Sequence, residues 1–306
     1  MKKKTIGIPR AFLYYRYKVL WENFFNYLGY KVIVSDITTK ETIENGKKLS
    51  IDESCLSSKI YLGHVYNLKN KCDYILIPRV CDYGKNEKVC VKFNANYDII
   101  KNIFKDTNII EYNIEKTKHS PEYISLIKLG LKLNHNPIKV IISYIKANKK
   151  EKQEEAEKIK KQEQVLKSKK NKILLVSHPY NIYDNYIGLP IIKILKQLNV
   201  EILYSDRVDK RLSKKYAKKL SPTLYWTYSK EIIGSIEHYK NSIAGIIFIT
   251  SFPCGPDSLV NELLIRKLTD IPTLNLIIDE QTGATGIETR LESFIDIIKE
   301  RSDNID

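Results

Sequence analysis

Short runs of consecutive apolar residues alternate along this chain with longer stretches in which apolar positions recur every three or four residues. The first pattern predicts strands buried on both faces, and the second predicts helices that cover them. Lys4-Thr-Ile-Gly-Ile-Pro-Arg10 reads as such a strand, stopping at Pro-Arg. A helical pattern follows through Tyr14, Leu20, Phe24, Phe25 and Leu28, with Gly29 as its stop, and Tyr30–Ser35 is the next strand. The same succession returns later. Lys172–His178 is a strand, Gly188–Leu198 a helix and Val200–Ser205 a strand. Each series continues through a helix into a third buried strand, Asp73–Pro78 and Ala244–Thr250, and then into a fourth, near Asn108–Tyr112 and Thr273–Ile278. Wholly apolar strands alternating with helices predict parallel sheets covered on both faces. The expected architecture is α/β, with two similar doubly wound parallel-sheet domains facing an interdomain cleft.

The domains expected are residues 1–145 and 172–306, joined by a charged helical linker over residues 146–171 that has no Gly or Pro. A length of 306 residues suits two domains, and 43% hydrophobic with 28% charged residues is ordinary globular composition. No run approaches the ~18 apolar residues of a membrane span. The first ten residues carry Lys2, Lys3 and Lys4 without the apolar core of a signal peptide. Five cysteines are too few and of the wrong parity for a disulfide framework, so a reducing cytoplasm is the expected compartment. The net charge of +15 raises the question of nucleic acid. It is concentrated in Lys2–Lys4, in Lys146–Lys172 with eleven Lys against five Glu, and in Val208–Lys219 with five Lys and one Arg against one Asp. Such Lys-dominated runs lack the Arg and aromatic interleaving of a nucleic-acid groove, and that reading is disfavoured.

Ligands of open parallel sheets bind outside the carboxyl ends of the strands. Cys81 follows the run Ile77-Pro-Arg-Val80, and Cys254 lies in Ser251-Phe-Pro-Cys-Gly-Pro-Asp-Ser258 after a strand. Cys55, in Asp52-Glu-Ser-Cys55, stands before a helix that runs through His64, and Cys90 stands just before another helix. Thiols at helix starts and in Gly/Pro-bounded turns have lowered pKa values and nearby N–H donors, which suits iron–sulfur ligation. Spacing alone leaves other readings open. The four cysteines could hold zinc, although no CxxC pair exists; one could be a catalytic thiol; or all could be small buried hydrophobes. Cys72 opens a strand and reads as core. Arg10 and Arg79 each follow a Pro at a strand end, where an arginine holds either an anion or a carboxylate. His178, in Ser177-His-Pro-Tyr-Asn181, ends a strand and suits either ligand contact or a hydrogen-bonded turn. His64 reads as structural or as a neighbour of a cluster, and Asp257 as a helix cap. Asp279-Glu-Gln-Thr-Gly-Ala-Thr-Gly286 is a weak phosphate-loop candidate that lacks the Gly-Lys-Ser/Thr of a P-loop.

The runs Ile6–Tyr15, Asp52–Cys55, Lys59–His64, Ile77–Arg79, Cys90–Phe93, His178–Asp184, Phe252–Ser258 and Asp279–Gly283 through Glu292 occur in one order over nearly the full length. Together they resemble the acyl-CoA dehydratase activase-related family, also described as 2-hydroxyglutaryl-CoA dehydratase activator-related proteins. The resemblance implies an iron–sulfur protein of anaerobic bacteria, related to a dehydratase component that holds a [4Fe–4S] cluster between α/β domains. It implies Cys55, Cys90 and Cys254 as ligands. Cys81 stands where relatives commonly have a small polar residue, so it is either a fourth ligand or a local departure. Three ligands leave one iron open to substrate, whereas four favour electron transfer alone. Relatives usually have Cys-Pro-Lys where this chain has Cys90-Val91-Lys92, and Asp-Glu-His where it has Asp279-Glu280-Gln281. Longer relatives carry a preceding ATPase activase segment, so the expected electron donor here is a separate ATP-dependent activase. The expected acceptor is a CoA-thioester-like substrate or a protein partner, with Arg10, Arg79 and His178 orienting it. The rival expectation is a metal-free scaffold or binding module that regulates a dehydratase.

Overall fold

The brief apolar runs do become strands, and the amphipathic stretches between them become covering helices, in a computed structural model that describes residues 3–282 and 284–303. The chain divides into two units: Met1–Ala156 with Tyr225–Thr227, and Glu157–Leu224 with Tyr228–Asp306.

The first unit runs β1 (Thr5–Ile8), α1 (Tyr14–Leu28), β2 (Lys31–Val34), α2 (Lys40–Lys48), α3 (Leu56–Leu68), β3 (Tyr74–Leu76), β4 (Arg79–Asp82), α4 (Val91–Ile103), β5 (Ile109–Ile110), β6 (Asn113–Glu115), α5 (Glu122–Lys132) and the start of α6 (Pro137–Leu166). Its main sheet has the order β2-β1-β3-β5, parallel throughout. α1 packs Leu20, Trp21, Phe24, Phe25 and Leu28 into the core. It stops where the sequence predicts, because Gly29 takes a φ of 103° and its N–H returns to Phe25 and Asn26. α2 and α3 meet backbone to backbone. A Cβ on Gly46 would lie 1.8 Å from the Lys59 carbonyl oxygen, and one on Gly63 would lie 1.9 Å from that of Thr42. α3 is consequently buried along Leu56–Val65, which fixes the helix that begins after Cys55.

The second unit runs β7 (Lys172–Val176), α7 (Pro179–Ile182), α8 (Gly188–Gln197), β8 (Glu201–Tyr204), α9 (Lys210–Leu220), α10 (Thr227–Tyr239), β9 (Gly245–Ser251), α11 (Gly255–Lys267), β10 (Thr273–Ile278) and α12 (Ala284–Asp303). Its parallel sheet has the order β10-β9-β7-β8, and all seven residues of β9 are buried. Read from the other edge, this is the order of the first unit: second strand, first, third, fourth. Both units are doubly wound α/β, and in each the chain reverses its direction of travel across the sheet between the first and third strands. Such a switch point opens a crevice at the strands' carboxyl ends.

Several details differ from the sequence expectation. Two helices, not one, separate the second and third strands in each unit. The strand expected near Asn108–Tyr112 shrinks to β5, because the chain leaves the main sheet and pairs β6 with β4 as a separate two-stranded parallel ladder. Cys81 therefore lies inside β4 and not after a strand. The charged stretch beginning at Lys146 is helical as far as Leu166. Gln162 within it is buried, and it both accepts from the Tyr204 N–H at 2.8 Å and donates to the Tyr204 carbonyl at 2.9 Å, holding the end of β8. Among the described residues no helix is long and apolar enough to cross a membrane.

Candidate functional site

Three of the candidate cysteines occupy one kind of position. Cys55 is the residue before α3, Cys90 the residue before α4 and Cys254 the residue before α11, and each of these helices has 13 residues. Their backbones are in the extended conformation that starts a helix, with ψ of 151°, 142° and 105°. At this point the helix dipole carries about half a positive charge, and the first-turn N–H groups have no carbonyl partner within the helix. Helix starts in general favour a thiolate and offer N–H donors to sulfur; here the third N–H of α3 and of α4 already bonds the Cys55 and Cys90 carbonyls, at 2.8 and 3.0 Å.

In the first unit, further contacts bind the two helix starts together. The Lys92 ammonium, in the first turn of α4, donates to the Ser54 hydroxyl beside Cys55 at 3.1 Å. Lys59, one turn into α3, is only 5% exposed, a buried cation on the helix that Cys55 opens. Cys81 is of a different kind. Its thiol donates to the Asn94 side-chain oxygen at 3.2 Å, and burial, with the charges of Glu115 and Asp82, pushes it up from the usual thiol range. Cys72 is not the strand-opening core residue that its sequence position predicts: it is half-buried in the bend before β3. It packs against Gly7, where a Cβ would come within 2.5 Å of its sulfur, and burial raises its thiol as well.

The arginines and His64 have protein partners. The Arg10 backbone N–H donates to the Ser35 hydroxyl at 2.8 Å, and its Nε donates to the Ser35 carbonyl at 2.9 Å. His64, wholly buried, bridges the Ser35 hydroxyl at 2.9 Å and the Thr38 hydroxyl at 3.0 Å. Burial, aided by the Arg10 charge, lowers its pKa to about 3. His64 is thus a neutral structural group that ties the chain after β2 to α3. Arg79 makes a two-pronged pair with Asp98, at 2.8 and 2.7 Å, and stacks over Tyr97.

In the second unit the structure joins two residues that the sequence offers separately. His178, directly after β7, shares a hydrogen bond of 2.8 Å between its Nε2 and the Asp257 carboxylate in the first turn of α11. The same carboxylate accepts from the Cys254 thiol. Burial pushes the Asp257 carboxyl up, but the His178 charge and these hydrogen bonds outweigh it, leaving the group below the usual carboxylate range. The imidazole stacks on Tyr180 at 4.9 Å, its Nδ1 is buried without a hydrogen-bond partner, and the residue lines a small cavity with Ser229 and Asn261. The Cys254–Asp257–His178 chain spans the third and first strands of the sheet, at the switch point. No sequence signal announces it, because His178 and Asp257 are 79 residues apart.

The weak phosphate-loop candidate closes on itself. Asp279 accepts from the Gln281 N–H and the Thr282 hydroxyl, and these bonds hold it as a carboxylate where a phosphate would have to approach. Gly283 lies outside the described residues. Among the described residues no three His, Cys, Asp or Glu side chains form a group able to hold a metal ion. Cys55, Cys90 and Cys254 share a helix-start position suited to a thiolate ligand, the Cys254 thiol donating to Asp257 as the Cys81 thiol, within β4, does to Asn94.

Fold and site together define a doubly wound α/β protein with three of its five cysteines at helix starts. The chain belongs to the family described as the CoA enzyme activase uncharacterised domain, whose profile matches residues 5–208. The matched region contains Arg10, Cys55, Arg79, Cys81, Cys90 and His178, whereas Cys254 and Asp257 lie beyond it. No curated protein matches the chain. Among solved structures, the crystal structure of ZnuA is similar over 97% of this chain and 99% of that one, with 8% identity and a TM-score of 0.26, too low to carry any argument.

Proposed function

We propose that this chain is an iron–sulfur redox protein of a CoA-dependent enzyme system. It would accept a low-potential electron from a separate ATP-dependent activase and pass it to a CoA-thioester-like substrate or a protein partner. The observation that carries this reading is the recurrence of cysteine immediately before three long helices, at Cys55, Cys90 and Cys254. Membership of a CoA enzyme activase family supports the biochemical setting. When bound, a [4Fe–4S] cluster would supply one-electron chemistry at low potential.

Cys55, Cys90 and Cys254 are the thiols we assign to it. Cys81 is the weaker candidate for a fourth ligand: it lies within a strand, its thiol donates to Asn94, and burial raises it above the usual thiol range. Lys59, one turn after Cys55, and Lys92, bonded to Ser54 in the first turn after Cys90, add positive charge to these two helix starts. Asp257, on the helix that Cys254 opens, holds the Cys254 side chain, and His178 braces Asp257 from the other side of the switch point. Arg10, at the end of β1, is a candidate for orienting the acceptor together with His178, whereas Arg79 must first leave Asp98.

The rival reading, a metal-free scaffold that regulates a dehydratase, draws on the lack of a three-ligand group among the described residues. Cysteine-to-serine variants separate the two. After anaerobic reconstitution, Cys55→Ser, Cys90→Ser and Cys254→Ser are expected to lose iron while Cys81→Ser keeps it. Full iron retention in all of the first three would refute the assignment.

A further inference from the structure

The first turns of α6 present two opposite faces. Val140, Ser143 and Ala147 are buried, and Gly130 of α5 makes room for Val140, since a Cβ there would lie 2.6 Å from the Val140 side chain. On the far side Ile138, Ile141, Ile142 and Ile145 are 68%, 44%, 46% and 57% exposed. Their spacing places them on one stripe, about two turns or 11 Å long. A single exposed isoleucine is unremarkable; four in one stripe mark a surface that is covered by something. Beside the stripe runs a groove of about 450 Å³, walled by Tyr27, Ile138, Lys139, Ile142 and Lys146.

Charge selects what covers it. Between Pro137 and Lys150 the helix carries Lys139, Lys146, Lys149 and Lys150, and no acidic residue. Lys139 donates to the Leu28 carbonyl and Lys150 to the Asn23 side chain, while Lys146 and Lys150 lie 6.0 and 5.3 Å from the centre of the Tyr27 ring. These contacts hold a cationic wall along the groove. A second copy of the chain, pairing like patch with like, would set lysine against lysine. An anionic bilayer would satisfy the lysines but is flat, and would leave the groove unfilled. A helix with large apolar side chains on one face and carboxylates beside them meets both demands. We infer that the Ile138–Ile145 face of α6 is a docking surface for an acidic amphipathic helix of another protein.

The probe is a labelled helix-forming peptide with Leu and Phe at i, i+3, i+4 and i+7 and Glu on both flanks, titrated into the full chain by fluorescence anisotropy. A scrambled peptide of the same composition is the control. The patterned peptide is expected to bind at least about tenfold more tightly than the scrambled one. Ile141→Ser with Ile145→Ser, and separately Lys146→Glu with Lys149→Glu, are each expected to weaken it at least about tenfold, with the helical circular dichroism unchanged. Absence of binding, equal binding of both peptides, or binding indifferent to both double variants would overturn the inference. So would variant-sensitive binding to phosphatidylserine vesicles, or variant-sensitive dimerisation in sedimentation velocity, in place of peptide binding. Those results would hand the surface to a membrane or to a second copy.

Discussion

Acidification should destabilise the first unit through one buried imidazole. His64 is wholly buried and accommodated as a neutral ring between Ser35 and Thr38, and burial, with the Arg10 charge, brings its pKa from 6.5 to about 3. In the unfolded chain the ring titrates near its ordinary value. Above pH 6.5 both states hold it neutral, so its contribution to stability is constant there. Between pH 6.5 and 3 the unfolded state binds a proton that the folded state refuses, and stability falls as pH falls. At pH 5 the unfolded ring is about 97% protonated and the folded ring about 1%, a linkage loss of about 2 kcal/mol relative to pH 7.5. Carboxylates at their ordinary values contribute little over this window, and His135 of the same unit, lowered by burial and by the Lys139 charge, adds a fall of the same sign that His64→Gln leaves in place. Both tryptophans, Trp21 and Trp226, lie in the first unit, so their fluorescence during urea unfolding reports the relevant transition. The wild type is expected to lose about 2 kcal/mol between pH 7.5 and 5, and His64→Gln, whatever its baseline stability, is expected to lose most of that pH dependence. An equal slope in the variant, or a His64 ring that titrates near 6.5 by NMR in the folded protein, would refute the reasoning and reopen His64 as an ionisable group of the site.

Other consequences follow from particular contacts. Gly46→Ala drives a Cβ into the Lys59 carbonyl, and it should cost about 3 kcal/mol or more in the same fluorescence assay, by forcing α2 off the helix that Cys55 begins. Gln162→Leu removes the partner of both backbone groups of Tyr204, and should cost about 2 kcal/mol, read as lost hydrogen-exchange protection in β8 with β1 unaffected.

Much of the fold can be read from the sequence, because its signals are local. β1, α1 with its Gly29 stop, β7, β10 and the helix starts after Cys55 and Cys90 depend on apolar period and on residue type within a few positions. What the sequence conceals depends on partners far along the chain. Gln162 looks like any polar residue of a charged helix, yet it is buried because β8 presents unpaired backbone groups to it. The residues Tyr225–Thr227 belong with the first unit because Lys88 exchanges backbone hydrogen bonds with Tyr225 and Thr227. Asp257 has the local signature of a helix cap, and only the sheet order brings His178 to it. Arg79 is equally deceptive: its Pro-Arg setting suits an anion site, and the carboxylate it meets is a residue of its own unit, Asp98.

The proposed function requires that thiols at helix starts carry an iron–sulfur cluster. The most direct test purifies the chain anaerobically, counts iron and acid-labile sulfide, and records the visible spectrum before and after dithionite. About four irons and about four sulfides per chain are expected, with absorbance that bleaches on reduction. A colourless, air-stable protein that takes up neither iron nor sulfide after anaerobic reconstitution would contradict it, and would leave Cys55, Cys90 and Cys254 as packing residues of a scaffold.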